Sequence, residues 1–325
     1  MRVGYFLSSE QFSAGELVAQ ARRAEQAGFA GLWISDHLHP WNDAQGHSPF
    51  VWSTIGAIAQ ATEHIPLTTA VTCPTVRMHP AIVAHAAATS ATLLEGRFAL
   101  GVGSGEALNE HVLGGTWPQA AVRLSMLEEA IAIIRLLWSG GSRSHHGPHY
   151  RVENARIYDL PRSTPPIYVS GFGPRSTALA ARVGDGYCTV TPDAEGVRRF
   201  RQLGGADKPV QGGMKVCYDA DERAARVLVH RLWPTEVLPG ELAQILPTPA
   251  HFEQACELVT EEMVADQVPC GADIDAHLEL LERYERAGFD EVYVAQIGPD
   301  QEGFFATYER TILRRYPSGG MDRLG

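Results

Sequence analysis

Lysine is nearly missing from this chain. Of its 27 basic residues only Lys208 and Lys215 are lysines, and the rest are arginines. Schiff-base catalysis and lysine-based phosphate capture therefore have two candidates at most. A basic surplus is missing as well: 38 acidic against 27 basic residues give a formal charge of −11. That balance argues against nucleic acid or an anionic membrane as the partner and leaves a small-molecule substrate. No stretch approaches the roughly 18 uninterrupted apolar residues of a membrane span. The opening MRVGYFLSSEQF is too polar for a secretory signal, so a cytoplasmic protein is expected. Cysteines are few, at 73, 188, 217, 256 and 270, and no CxxC occurs. They read as reduced thiols rather than a disulfide framework or a zinc site. What is present is enough apolar sequence for a large core: 45% of residues are hydrophobic and 20% charged, which excludes global disorder.

Short apolar, β-branched runs alternate with amphipathic helices from the first residues. Strands are predicted at 2–7, 31–35, 66–72, 97–102, 166–170, 186–191, 213–218 and 291–296. In GELVAQARRAEQAG, Leu17, Ala21, Ala24 and Ala27 share one helical face and Gly28 closes the helix. A unit of helix, glycine, aromatic and strand occurs twice, as AEQAGFAGLWIS and as YERAGFDEVYVA. Eight strands separated by helices predict an α/β fold, a closed (β/α)8 TIM barrel. An open doubly wound sheet would want a glycine-rich turn after the first strand, where the sequence has SSEQFSAG. Residues 141–165 read as an inserted hairpin, and the proline-punctuated 232–271 as a helical, lid-like insertion. One domain with insertions, spanning 1–325, is expected.

Active sites of such barrels lie at the C-terminal ends of the strands. Those ends gather Glu10, Asp36, His37, His39, Glu106, Asn109 and Glu110. His37 stands two residues past the apolar part of the second strand, where an acid/base group belongs. A histidine that merely pins its own loop is the competing reading. His37 and His39 together are also a possible metal pair, although no later strand ends in a histidine. GVGSGEALNE brackets Ser104 with glycines before Glu106 opens a helix, which suits close backbone approach to a ligand or an ordinary capped turn. GFGPRS, with Gly171 and Gly173 in the turn and Arg175 and Ser176 in the first helical turn, suits a phosphate cradle or plain strand-to-helix chemistry.

SEQF, SDHLHPW, GHSPF, TCPT, GVGSGEALNE, WSG, YDLP, GFGP and GDGY follow one another in an order and spacing that resembles the luciferase-like flavin and deazaflavin oxidoreductases. Within them the chain is similar to the coenzyme F420-dependent glucose-6-phosphate dehydrogenase family, over nearly its whole length. The resemblance implies the same (β/α)8 barrel, a homodimer and bound coenzyme F420. It implies that Asp36 contacts the deazaflavin and that His37 and Glu106 are the catalytic acid/base groups. It further assigns Cys73, Ser104, Gly105 and Asn109 to the cofactor, and Phe172, Gly173, Arg175 and Ser176 to the neighbourhood of its phosphate. Glu10 and Trp41 match substrate-pocket positions. A non-prolyl cis peptide, Ala70–Val71, is implied at the end of the third strand, as a bulge backing the ring.

The departures concern the substrate. The family's sugar-phosphate enzymes hold the phosphate with two lysines and an arginine, and the matching positions here fall near Asp193, Ala265 and Glu302 or Gly303. Glucose 6-phosphate is therefore not the expected substrate. The expected reaction is hydride transfer between the deazaflavin C5 and a non-phosphorylated alcohol or carbonyl, or an activated C=C or C=N bond. An FMN-dependent monooxygenase and a metal-dependent barrel hydrolase are the alternatives.

Overall fold

Eight parallel strands close into a barrel in the computed structural model, which describes residues 1–318. Residues 319–325, the end of the expected domain, lie outside the described residues. In chain order the strands are β1 (Arg2–Leu7), β2 (Leu32–Ile34), β3 (Leu67–Thr69), β4 (Phe98–Val102), β5 (Arg143–His146), β6 (Arg151–Ala155), β7 (Ile167–Ser170), β8 (Gly186–Thr189), β9 (Val210–Val216) and β10 (Glu291–Gln296). The first helices are α1 (Ala14–Ala27), α2 (Val51–Ala61), α3 (Pro80–Leu93), α4 (Ala107–Glu110), α5 (Ala120–Trp138), α6 (Pro174–Val183) and α7 (Ala194–Phe200). They are followed by α8 (Glu222–Leu232), α9 (Leu242–Ile245), α10 (Pro249–Ala255), α11 (Glu261–Ala265), α12 (Ile274–Ala287), α13 (Gln301–Arg310) and α14 (Ile312–Arg315).

Around the barrel the order is β1, β2, β3, β4, β7, β8, β9, β10 and back to β1, so the sheet has no open edge. Register is set by pairs such as Tyr5 opposite Leu32 and Arg2 opposite Glu291. β5 and β6 stand apart as an antiparallel pair within 141–165. The strands are buried on both faces, which is why their sequences are apolar runs rather than alternating ones. The twice-occurring unit is one structural device. Gly28 and Gly288 end α1 and α12 in the left-handed region, at φ 89° and 90°, and Phe29 and Phe289 turn into the core behind them.

Two strand boundaries differ from expectation by three residues, and the other differences are of one or two. β9 begins at Val210, not Gly213, because Gly212 and Gly213 lie inside the strand. A Cβ there would meet the Tyr284 ring at 2.8 Å and the Trp33 ring at 2.6 Å, so the glycines make room for aromatics. β3 ends at Thr69 rather than Thr72. Beyond it the Ala70–Val71 peptide is cis, and pairing resumes as the single bridge Thr72–Val102.

Inside the barrel Trp33 stacks on Tyr293 at 4.8 Å and meets Phe6 edge-on at 5.5 Å. Trp33 Nε1 donates to Gln211, while Gln211 Nε2 and the Tyr293 hydroxyl both donate to Glu291. The polar atoms at the bottom of the barrel are thereby paired, and the open end is left for the site. A Cβ on Gly101 would overlap the Thr69 carbonyl oxygen, whereas one on Gly56 in α2 meets nothing within 4 Å. Gly101→Ala is expected to cost about 1–3 kcal/mol through overpacking. Gly56→Ala is expected to stabilise by about 0.5 kcal/mol through lower unfolded-state entropy. Urea unfolding of the two variants beside the parent checks the contrast.

Candidate active site

A cavity of about 380 Å³ opens at the C-terminal ends of the strands. Its floor is the barrel interior, at Phe6, Trp33 and Ala295, and its walls are strand-end loops and the 232–245 segment. Of the fifteen residues that the resemblance assigns to the site, ten line it: Glu10, Asp36, His37, Trp41, Ala70, Val71, Cys73, Glu106, Asn109 and Phe172. Five do not. Ser104 and Gly105 form the turn into α4 behind the wall, with Gly105 at φ 90° and tight against Trp117 and Glu110. Gly173, Arg175 and Ser176 lie beyond Phe172 at the start of α6, where the Ser176 hydroxyl accepts from the Gly173 N–H at 3.2 Å.

His37 is held between two carboxylates. Its Nε2 lies 3.4 Å from Glu10 Oε1 and 3.7 Å from Glu106 Oε2. Glu10 is buried and anchored by the hydroxyls of Ser8 at 2.7 Å and Ser35 at 2.9 Å, both donating to Oε2. Trp41 packs against the imidazole at 5.1 Å and is itself backed by Phe252. On the other edge, His37 Nδ1 lies 3.1 Å from Asn109 Nδ2 and 3.2 Å from the His39 carbonyl oxygen. Asn109 is oriented by its Oδ1, which accepts from the N–H groups of Leu38 and His39, and its Nδ2 also reaches Glu106 at 3.3 Å. His39 turns away, its ring bonded to the Leu108 carbonyl, so the two histidines do not converge.

Beneath this layer Asp36 is buried, with Thr72 donating to Oδ2 at 2.8 Å and Arg77 to Oδ1 at 2.9 Å. Arg77 also approaches Glu110 at 3.6 Å, and Glu110 accepts the backbone N–H groups of Val76 and Arg77. Burial raises the Glu110 carboxyl above its ordinary range although Arg77 and the N–H donors oppose it. The Cys73 thiol is pushed well up by burial and by Glu110, Glu106 and Asp36, and burial pushes Cys188 up to about 12. Both cavity cysteines are thus protonated thiols, poor nucleophiles.

Sequence reasoning missed Arg77, Lys215 and Glu236. Lys215 lines the cavity, its Nζ 2.8 Å from Glu236 Oε1 and 4.3 Å above the Trp233 ring. A lysine inside the otherwise buried, apolar β9 was the available signal, since such a charge must reach the mouth or find a partner. Asp193 and Glu302, which fall at the family's phosphate-holding positions in the sequence, are engaged elsewhere. Asp193 caps α7 through the Glu195 N–H, and Glu302 pairs with Arg23 of α1 on the barrel exterior; neither lines the cavity. Ala265 and Gly303 lie outside it too.

Glu106 is about a third exposed (31%), yet partial burial raises its carboxyl above the ordinary range, with Glu10 adding to the effect and His37 and Asn109 opposing it. A raised carboxyl holds its proton more tightly in the folded state than in the unfolded one. Its contribution to stability is therefore full below the ordinary carboxylate value and is lost as pH rises through the raised one. Glu106→Gln, which cannot ionise, is expected to gain melting temperature over the parent progressively as pH rises from 4 to 8. Melting curves across that range check it, and a pH-independent difference would refute the assignment.

Residues 1–291 match the family model described as luciferase-like monooxygenase. The chain is 38% identical over 330 residues to an F420-dependent glucose-6-phosphate dehydrogenase of Beutenbergia cavernae, covering 97% of each protein. It is also 38% identical over 295 residues to an F420-dependent hydroxymycolic acid dehydrogenase of Mycobacterium tuberculosis, covering 88% of this chain and 80% of that one. A solved F420-dependent secondary alcohol dehydrogenase, in complex with an F420–acetone adduct, superposes with a TM-score of 0.88 at 28% identity, covering 95% of this chain and 97% of that one. The (β/α)8 barrel, the ordered motifs and these full-length relatives agree: the chain belongs to the luciferase-like monooxygenase family, in the branch of its F420-dependent dehydrogenase relatives.

Proposed function

We propose that the chain is a coenzyme F420-dependent oxidoreductase acting on a non-phosphorylated alcohol or carbonyl compound. The observation that carries the reading is His37 Nε2, poised between Glu10 and Glu106 at the mouth of a cavity walled on one side by apolar, ring-sized surface. The residues suit a flat heterocycle. Ala70 and Val71 form a bulge in the wall, and Gly103 stands so close behind it that a Cβ would meet Val71 Cγ2 at 2.7 Å. Asp36, Cys73 and Asn109 would flank the ring, Ser104 and Gly105 would support it from behind, and Phe172, Gly173, Arg175 and Ser176 would hold its phosphate-bearing tail. The relatives' F420 dependence favours the deazaflavin over FMN.

When bound, the deazaflavin supplies the hydride acceptor or donor. The chain supplies the proton chemistry. A carbinol gives up hydride readily only if its O–H proton leaves in the same step, so a base must stand at the oxygen. His37 Nε2 takes that proton, or returns it in the opposite direction, while Glu10 and Trp41 position the substrate. Glu106, whose carboxyl is made by burial to hold its proton more tightly than an ordinary carboxylate does, serves the ring side through Oε2. Among the described lining residues Lys215 is the one lysine or arginine, and it is already paired. A phosphate dianion would want more than that.

His37→Ala is expected to lower turnover about 100-fold or more while the F420 dissociation constant, followed by fluorescence quenching, changes little. Unchanged turnover would sink the assignment. The same titration with FMN separates the cofactors, since tighter FMN binding would transfer the reading to the monooxygenases. Homodimerisation belongs to this proposal, and sedimentation equilibrium at micromolar protein checks it.

A further inference from the structure

Lys215 is a cation on the wall of an otherwise acid-rich cavity, and its setting is specific. It projects from β9 near the barrel mouth, with the side chain 12% exposed. Its ammonium is matched by the Glu236 carboxylate at 2.8 Å and covered by the face of Trp233. Glu236 comes from the turn after α8, and that segment is fastened by other means. The side-chain amides of Asn42 and Gln45 donate to the Leu232 carbonyl at 3.0 and 2.8 Å, and Trp233 Nε1 donates to Gln11 at 3.1 Å. The Glu236 carboxylate is therefore not needed to hold the wall in place. Its effect is on charge: it occupies the cation that an anionic substrate would use.

We propose that Glu236 sets the charge class of the substrate by neutralising Lys215, so that the cavity takes uncharged alcohols or carbonyls and excludes carboxylate- or phosphate-bearing ones. This rests on the oxidoreductase reading above. An incoming anion would have to break the Lys215–Glu236 pair and strand a partly buried carboxylate, with Glu10 and Glu106 adding to the repulsion. Discrimination then comes from an unfavourable element set against the wrong ligand.

Glu236→Gln keeps the shape and removes the charge, and Glu236→Ala is the second variant. Each is compared with the parent and with the double variant Lys215→Met/Glu236→Gln, on a neutral secondary alcohol and on the hydroxy acid in which one methyl is replaced by carboxylate. The ratio of kcat/KM for the acid to that for the alcohol is expected to rise about tenfold or more in the single variants and to fall back in the double one. Inorganic phosphate, titrated against tryptophan fluorescence without cofactor, is expected to bind the single variants about tenfold more tightly than the parent or the double variant. If the parent turns over neither compound, the oxidoreductase reading fails while the phosphate titration still decides this proposal. An unchanged ratio together with unchanged phosphate binding would overturn it and leave the pair as a fastening of the wall.

Discussion

Two carboxylates, Asp36 and Glu110, are buried on loops that follow different strands, and their separate charges would be intolerable without Arg77. The guanidinium arrives from the loop after β3 and lies between the loop after β2 and helix α4 after β4. Removing one partner of such a buried arrangement typically costs about 3–5 kcal/mol. The consequences run upward. Asp36 fixes the start of the loop that carries His37, and Glu110 fixes the short helix that carries Asn109. Asn109 in turn binds the backbone at Leu38 and His39 and faces the His37 ring. The layer of His37, Asn109 and Glu106 is thus assembled on one buried charge, and its geometry is set below the cavity rather than in it.

Cations are placed singly, one beneath the cavity and one on its wall. Arg77 serves the buried layer and Lys215 serves the outer wall, each beside a carboxylate. The scarcity of lysine along the chain has a counterpart here: a lining with several acids and one paired ammonium. Burial holds the Glu106 proton above the ordinary carboxylate range, and the neighbouring Glu10 carboxylate adds to the effect.

Much of this was legible in the sequence, for physical reasons. Parallel barrel strands are buried on both faces, so the runs at 2–7 and 291–296 stand out whole, and the Gly28–Phe29 and Gly288–Phe289 caps mark β2 and β10 from the helix side. Strand ends in such a fold converge, so Glu10, His37, Glu106 and Asn109 could be grouped before any contact was known. Pairing between distant side chains could not be read this way. Arg77 finds Asp36 and Lys215 finds Glu236 through loop paths that hydrophobic periodicity does not describe. Glu302 was misplaced for a related reason: α13 packs against α1, and its Arg23 contact points outward. Residues 210–212 fell outside the expected strand because Gly212 beside Gly213 resembles a turn until the aromatic rings that fill their space are known.

The edge of His37 that faces away from the carboxylates has a consequence for protons. A backbone carbonyl can only accept a hydrogen bond and the nitrogen of an amide side chain can only donate one, yet both stand within 3.2 Å of Nδ1. A hydrogen on Nδ1 satisfies His39 and leaves a lone pair on Nε2; a lone pair on Nδ1 satisfies Asn109 and leaves the hydrogen on Nε2. The two tautomers of the neutral ring are each provided with a partner in place. Because the Asn109 amide also reaches Glu106, the choice between them is linked to that carboxyl. The same imidazole can therefore meet a substrate oxygen as acceptor or as donor without rotating.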